Sequence, residues 1–296
     1  MSAEGYAKFL KDMGHSVREA AGVYWFNAHT GVYMSFPFQT EVTLSASDLK
    51  TVLGSDGWVA RFPCPESQGR QSFRIIMDDP NYDLGNLNSK TRNQTRRGME
   101  GCKSRPLEFS ELEAVGIALN KDTLQRQQRR IPSGFEDYWL RYYRTASHTE
   151  GALAWGSFVG GELAAYLIAF IMGDCAHILI MRSSAAHLKH YPNNALLFNF
   201  MKSVLNSGRV REVSIGLEAI QSEMDSLDHF KIGMGFKKQP IGQQIFLRPI
   251  LTKILKGPVL PVLSWVVGLK KNDERFTKLA GLLDWYATQK ERTPKP

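Results

Sequence analysis

The chain is poor in cysteine and has no apolar run long enough to span a bilayer. Cys64, Cys102 and Cys175 stand far apart, with no CxxC spacing and no histidine at metal-ligand distance in the sequence. Neither a disulfide framework nor a zinc site is expected, so the thiols should be free and no metal should be bound. The longest apolar stretches, Leu163–Met172 and Pro258–Leu269, fall short of a transmembrane helix. Met1–Tyr6 has neither a basic n-region nor an apolar h-region, which leads to the expectation of a soluble, cytoplasmic protein. No nucleophile elbow and no Ser/His/Asp or Cys/His motif is present, which points away from a covalent enzyme intermediate. What is there is a chain of 296 residues, 43% hydrophobic, able to bury one large core or two modest ones. Its 37 Lys and Arg outnumber 29 Asp and Glu, a balance that suits phosphate-bearing partners or an anionic membrane face.

The most regular pattern lies in the second half. Leu153–Val159 and Glu162–Met172 are apolar runs closed by Gly160-Gly161 and Gly173-Asp174, the two-residue turns that join antiparallel strands. Cys175–Arg182 supplies a third strand. Asn193–Ser207 then carries Leu197, Phe200, Met201, Val204 and Leu205 at helical spacing before Gly208. Val210–Gly216 reads as a strand and Ser222–Met234 as a helix closed by Gly235 in the left-handed position. Phe236 opens a last pairing segment that runs through Gln243–Arg248.

In the first half the pattern predicts a helix over Tyr6–Ala20, then short strands at Val23–Phe26, Gly31–Phe36 and Glu41–Leu44. A helix over Ala46–Leu53, capped by Ser45 or Ser47, and strands at Gly57–Phe62 and Ser72–Met77 follow. A helix starting near Ser89 and stopping at Gly101 carries Lys90, Arg92, Arg96 and Arg97 and reads as basic nearly all round. Phe109–Asn120 is a helix followed by the basic cluster Arg126, Arg129 and Arg130, and Phe135–Thr145 is an aromatic helix suited to core packing. Past Pro249, the apolar segments Ile250–Lys256 and Gly257–Leu269 are bracketed by lysines, and Glu274–Thr288 is an amphipathic helix. Packing onto the rest of the chain and an interfacial membrane contact are both open for this tail.

Three antiparallel strands followed by helix, strand, helix and strand is the order of the C-terminal part of the GNAT acyltransferase fold. The wording is closer still. Gly160-Gly161-Glu162-Leu163-Ala164-Ala165, Tyr191-Pro192-Asn193-Asn194-Ala195-Leu196-Leu197 and Leu227-Asp228-His229-Phe230-Lys231-Ile232-Gly233-Met234-Gly235-Phe236 together resemble the Fem-like branch. That branch holds peptidoglycan aminoacyl transferases and BioF2-like acetyltransferases. The resemblance implies an α/β (α+β) GNAT fold in two tandem halves, a degenerate one over residues 1–145 and a catalytic one over 146–250, with a helical tail over 251–296.

It also implies direct acyl or aminoacyl transfer to an amine, with acyl-CoA or aminoacyl-tRNA as co-substrate and no permanently bound cofactor. Lys231, with Phe230 before it, would polarise the carbonyl, and Lys90, Arg92, Arg96 and Arg97 would hold phosphates. The turn Ser183–Asn194 lacks the glycines that let a backbone wrap a pyrophosphate, which weighs toward a tRNA donor. Asn193 and Asn194 can still present N–H groups there, with Lys189 adding charge. Among the titratable groups Asp174, His177, Glu218 and His229, Glu218 follows a strand end where such sites open and is the candidate base. The acceptor would be an amine-bearing small molecule or a cell-envelope precursor. The competing reading is a non-catalytic module that binds RNA or an anionic membrane surface, peripheral at the inner membrane face.

Overall fold

The computed structural model describes residues 3–218, 225–255 and 274–290. In chain order the elements are α1 (Glu4–Asp12), β1 (Val17–Ala20), β2 (Val23–His29), β3 (Val32–Phe36), α2 (Ala46–Leu53), β4 (Val59–Cys64) and β5 (Arg70–Met77). There follow α3 (Ser89–Gly101), β6 (Lys103–Leu107), α4 (Phe109–Arg126), α5 (Phe135–Ser147), β7 (Ala152–Val159), β8 (Glu162–Met172) and β9 (Cys175–Ser183). The remainder is α6 (Pro192–Asn206), β10 (Glu212–Leu217), α7 (Asp225–Gly233), β11 (Lys237–Leu247), α8 (Pro249–Ile254) and α9 (Glu274–Thr288). The mixed order of strands and helices is that of an α/β protein. Residues 256–273, including the whole apolar run Pro258–Leu269, lie outside the described residues, as does the start of the expected helix at Ser222.

The chain divides into two compact units that interleave in sequence. One comprises Met1–Met13, Ile75–Gly216 and Ser226–Lys237, the other Gly14–Arg74, Leu217–Asp225 and Lys238–Pro296. Residues 145 and 146, where the sequence reading draws its first boundary, both fall in the first unit.

In the first unit the strand order is β10-β9-β8-β7-β6. The glycines at the hairpin tips do what their spacing requires: Gly160 and Gly161 take φ 59° and 91° between β7 and β8, and Gly173 takes 66° between β8 and β9. β8 is buried from Leu163 to Met172 because helices cover both of its faces. Tyr6 and Phe9 of α1 lie 4.9 and 4.7 Å from Phe170, while Phe200 of α6 meets Trp155 of the neighbouring strand edge-on at 5.9 Å on the opposite face. On the aromatic side Asn120, Tyr143 and Tyr166 close a buried ring of hydrogen bonds at 2.8, 3.0 and 2.5 Å. Burial there pushes the Tyr143 hydroxyl up to about 12.

The second unit has the order β1-β2-β3-β4-β11. Its core gathers Trp25, Tyr33, Phe62 and Phe246 with Leu49, Val52 and Leu53 from α2, which is entered through a Ser45/Asp48 capping box. A second cluster sets Leu283, Trp285 and Tyr286 of α9 against Val59, Ile245 and Leu247.

Several expectations change. The helix predicted over Tyr6–Ala20 ends at Asp12, and Val17–Ala20 pairs back onto Val23–Phe26 through Ala21 and Gly22, both at positive φ. Gly22 is a turn signal, but an alanine at φ 53° beside it is not, so the two-residue turn was only half visible. Glu41–Leu44 is not a strand; Val42 N–H donates to Pro63 O at 2.9 Å. Lys103–Leu107, just past the helix stop at Gly101, is an edge strand paired with β7, and its lysine, arginine and proline suit an edge that must not recruit further strands. α4 runs on to Arg126, so the second basic cluster begins on a helix.

Candidate functional site

The site grows from a short pairing. β10 runs parallel to β9 over only three residue pairs, the last being Ser214 and His177. β9 continues to Ser183 beyond that point. Two local features part the strands. Leu179 is an extra residue in the β8–β9 ladder, where Ile168 faces Ile180 but Ala169 faces Ile178, and such a bulge bends the strand that carries it. Gly216 sits at φ 94° and donates its N–H to Ser214 Oγ at 3.1 Å, turning β10 off its line. Burial follows the parting: Cys175–Ile178 are buried, while Leu179, Ile180 and Met181 are half-exposed. Among the described residues the β10 side of this stretch of β9 has no partner strand, so its main chain can pair with an extended ligand.

β9 leads into the N-terminus of α6 through a 3-10 turn at Ala185–His190 and the left-handed Tyr191. Tyr191 gives no side-chain cap, Pro192 at the first position has no N–H, and Asn194 N–H turns back to Tyr191 O at 3.1 Å, so of the two asparagine amides that the sequence offers to an anion it is that of Asn193 that remains. Beside them Ser183 Oγ is approached by Asn193 Nδ2 at 3.2 Å and Arg126 Nη2 at 3.3 Å, and Asp122 accepts from Ala185 N–H at 2.6 Å. Asn193 Oδ1 and Thr123 Oγ1 are buried with no hydrogen-bond partner. The sequence pointed to Asn193 but not to Ser183 or Asp122, and it treated Arg126 as one cation in a cluster. The distance from Arg126 to Ser183 along the chain hides their meeting.

α3 is not basic all round. Thr91, Thr95 and Gly98 form a buried face. Gly98 lies so close to α6 that a Cβ there would stand 2.7 Å from Tyr191 O. Lys90, Arg96 and Arg97 are exposed, and the Arg97 guanidinium lies 5.1 Å over the Tyr191 ring. Arg92 is half-buried; it donates to Leu87 O at 2.9 Å, while its Nε is buried without a partner.

At the end of α7, Lys231 is buried, Phe230 half-buried and His229 exposed. The Lys231 carbonyl accepts from Met234 and Phe236, and Gly235 takes φ 92° as the sequence requires. Met234 is the meeting point of three elements: its sulfur lies 3.9 Å from Thr95 Oγ1 of α3 and 3.7 Å from Asn194 Nδ2 of α6, and its carbonyl accepts from Tyr82 at 2.8 Å. Asn88, which caps α3, also donates its N–H to Gly233 O. The sequence-predicted residues on α3, the start of α6 and the end of α7 are therefore brought into one region of the first unit. Lys189 is an exposed residue of the 3-10 turn.

Glu218 belongs to the second unit. Its carboxylate accepts from Ser72 Oγ at 2.8 Å, Ser72 accepts from Gln243 Nε2 at 2.6 Å, and Gln243 Oε1 accepts from Arg61 at 2.8 and 3.0 Å. Burial lowers the Arg61 guanidinium to about 10, against the opposing pull of Glu218, so it stays charged at neutral pH. On β11 the main chain at Ile245 and Gln243 is met by α9 and the residue that follows it. Gln289 bonds both main-chain groups of Ile245, and Trp285 Nε1 donates to Gln243 O at 3.4 Å.

No family model and no curated protein matches this chain. Solved structures do. FemX superposes with a TM-score of 0.59 at 11% identity, over 85% of this chain and 93% of that one. The C-terminal DUF2156 domain of an Agrobacterium fabrum protein assigned as a lysylphosphatidylglycerol synthetase gives 0.55 at 14% identity, over 81% and 87%. L-PGS from Bacillus licheniformis gives 0.51 at 14%, over 84% and 90%. The chain has the GNAT fold, in the form seen in FemX. Among the described residues no helix is long and apolar enough to cross a membrane.

Proposed function

We propose that this chain is an acyltransferase that moves an acyl or aminoacyl group from an activated ester or thioester directly to an amine. The observation that carries the reading is the unpaired edge of β9 beyond His177, which runs toward the uncapped N-terminus of α6. An extended donor lying along that edge would pair its amides with the strand and place its phosphates near the Asn193 amide at the start of α6 and Arg126. Lys90, Arg92, Arg96 and Arg97 would hold further phosphates, which suits acyl-CoA and, over a longer contact, aminoacyl-tRNA.

In the reaction the amine nitrogen bonds to the acyl carbon and negative charge collects on the carbonyl oxygen. The C–S or C–O bond then breaks, and the proton lost by the amine ends on the leaving group. Lys231, buried at the end of α7, is the residue proposed to stabilise the oxyanion, an effect often larger than any other catalytic contribution. The acceptor is proposed to be an amine-bearing small molecule or a cell-envelope precursor.

The test is a screen of coenzyme A thioesters and charged tRNAs against amine acceptors, with and without ribonuclease. Product is expected with one donor class, and loss on nuclease treatment assigns it to tRNA. Lys231→Met should lower turnover by about a hundredfold or more with the fold intact; full turnover in that variant overturns the role. A second reading, a module that binds anionic RNA without chemistry, is favoured only by the exposure of Lys90, Arg96 and Arg97. RNA binding with no product from any donor would select it.

A further inference from the structure

The second unit carries an apolar face that its core does not use. Trp58, Ile250, Ile254 and Leu279 are 48%, 56%, 54% and 44% exposed, and all four belong to this unit. Single exposed apolar residues are ordinary, but these are arranged. On α8, Leu251 and the following Leu255 pack against the cluster of Ile245 and Leu283, while Ile250 and Ile254, four residues apart, point the other way. Trp58 is tied to the start of the same helix. Arg248 N–H donates to Trp58 O at 2.9 Å, and the Arg248 guanidinium lies 5.2 Å over the indole while donating to the carbonyls of Gly57 and Gly54 at 2.7 Å. Lys253 is exposed between the two isoleucines. On α8 and the strand before it charge is one-signed: from Lys238 to Ile254 the sequence holds Lys238, Arg248 and Lys253 and no aspartate or glutamate, and Asp56, two residues before Trp58, is paired with Arg18.

We propose that Trp58, Ile250 and Ile254, flanked by Arg248 and Lys253, form a docking surface for an anionic lipid bilayer. Isoleucines on one face enter the boundary between headgroups and acyl chains, and the indole sits at headgroup level. Lys253 extends its ammonium group to lipid phosphates while its stem lies along the apolar face. The missing acids favour lipid over a protein partner, because a protein surface offers charges of both signs whereas an anionic leaflet offers one. This surface stands independently of the acyl-transfer reading.

The experiment is co-sedimentation of the full chain with vesicles of phosphatidylglycerol and phosphatidylcholine in roughly equal parts, and with pure phosphatidylcholine vesicles. Binding is expected to the anionic vesicles only, to weaken as salt is raised, and to fall at least about tenfold in Ile250→Ser/Ile254→Ser. Lys253→Glu should weaken it as well, and circular dichroism should show both variants folded. Absence of sedimentation with anionic vesicles, or equal sedimentation of wild type and double variant, overturns the proposal. So does a dimer in solution that the double variant splits, since a second copy would then be the occupant of the face.

Discussion

Ser214 of β10 and His177 of β9 are the last residues at which these two strands lie side by side. Beyond them the main chain of β9 keeps β8 on one edge and, among the described residues, no strand on the other. Hydrogen exchange should report this directly. The amides of Ile178–Arg182 that do not face β8 should exchange about tenfold or more faster than those of Cys175–His177. A bound donor should slow them. Uniform protection along β9 would mean that the edge is closed.

The approach of α3 to α6 depends on Gly98. A Cβ there would stand 2.7 Å from Tyr191 O and 3.3 Å from the Ala195 methyl, so the helices would have to separate just where α6 begins. Gly98→Ala should lower stability by about 1–3 kcal/mol in urea unfolding, in spite of the better helix propensity of alanine. Gly101→Ala is the control. The nearest atom to its Cβ would be His190 Nδ1 at 3.8 Å, so that variant should be neutral or slightly more stable.

How much of this was legible depended on how local the cause is. The hairpin β7–β8, the helix beginning at Ser89 and α2 behind its Ser45 cap follow from residues within a few positions of one another, and all three are where the sequence puts them. The β1–β2 hairpin was missed because one of its two turn residues at positive φ is Ala21, beside Gly22, and the helical spacing before it ran on to Ala20. The basic helix was legible as a helix. Its buried Thr91, Thr95 and Gly98 face was not, because that face exists only through contact with α6 and with Gly233, which follow far along the chain. The candidate site divides in the same way: Asn193, Asn194 and Lys231 came from local wording, whereas Ser183 and Asp122 became visible only when the end of β9 was seen beside α4.

An acid-sensitive link ties β1 to the loop before β4. Asp56 accepts from Arg18 and, at 2.7 Å, from the Tyr33 hydroxyl, and the Arg18 guanidinium lies 4.3 Å over the Tyr33 ring. The Arg18 and Tyr33 hydrogen bonds hold the Asp56 carboxyl below the ordinary aspartate range. A carboxylate with a lowered folded-state pKa stabilises fully above its unfolded value and loses that contribution as pH falls through the folded value. Stability should therefore drop on the acid side of the ordinary aspartate range, and Asp56→Asn should flatten part of that drop. Because the pair is exposed, the effect should shrink in high salt. Urea midpoints measured from neutral pH down to strong acid check it; identical acid profiles for wild type and Asp56→Asn would count against the link.

Gln289 takes the place of a neighbouring strand for Ile245. Its Oε1 accepts from Ile245 N–H at 2.9 Å, its Nε2 donates to Ile245 O at 2.8 Å, and the side chain is buried, so both main-chain groups depend on it. Gln289→Leu leaves a buried donor and a buried acceptor unpaired and should cost about 2–4 kcal/mol. Gln289→Glu gives a sharper test. As a carboxylate, Glu at position 289 keeps an acceptor for Ile245 N–H but turns a negative oxygen toward Ile245 O; as a neutral acid it can donate there. Burial and the facing carbonyl both raise the pKa of that acid in the folded state. Its destabilisation should therefore grow as pH rises through neutrality and relax toward pH 5. Equal stability of Gln289→Glu and wild type at both ends of that range would show that the strand edge has another partner.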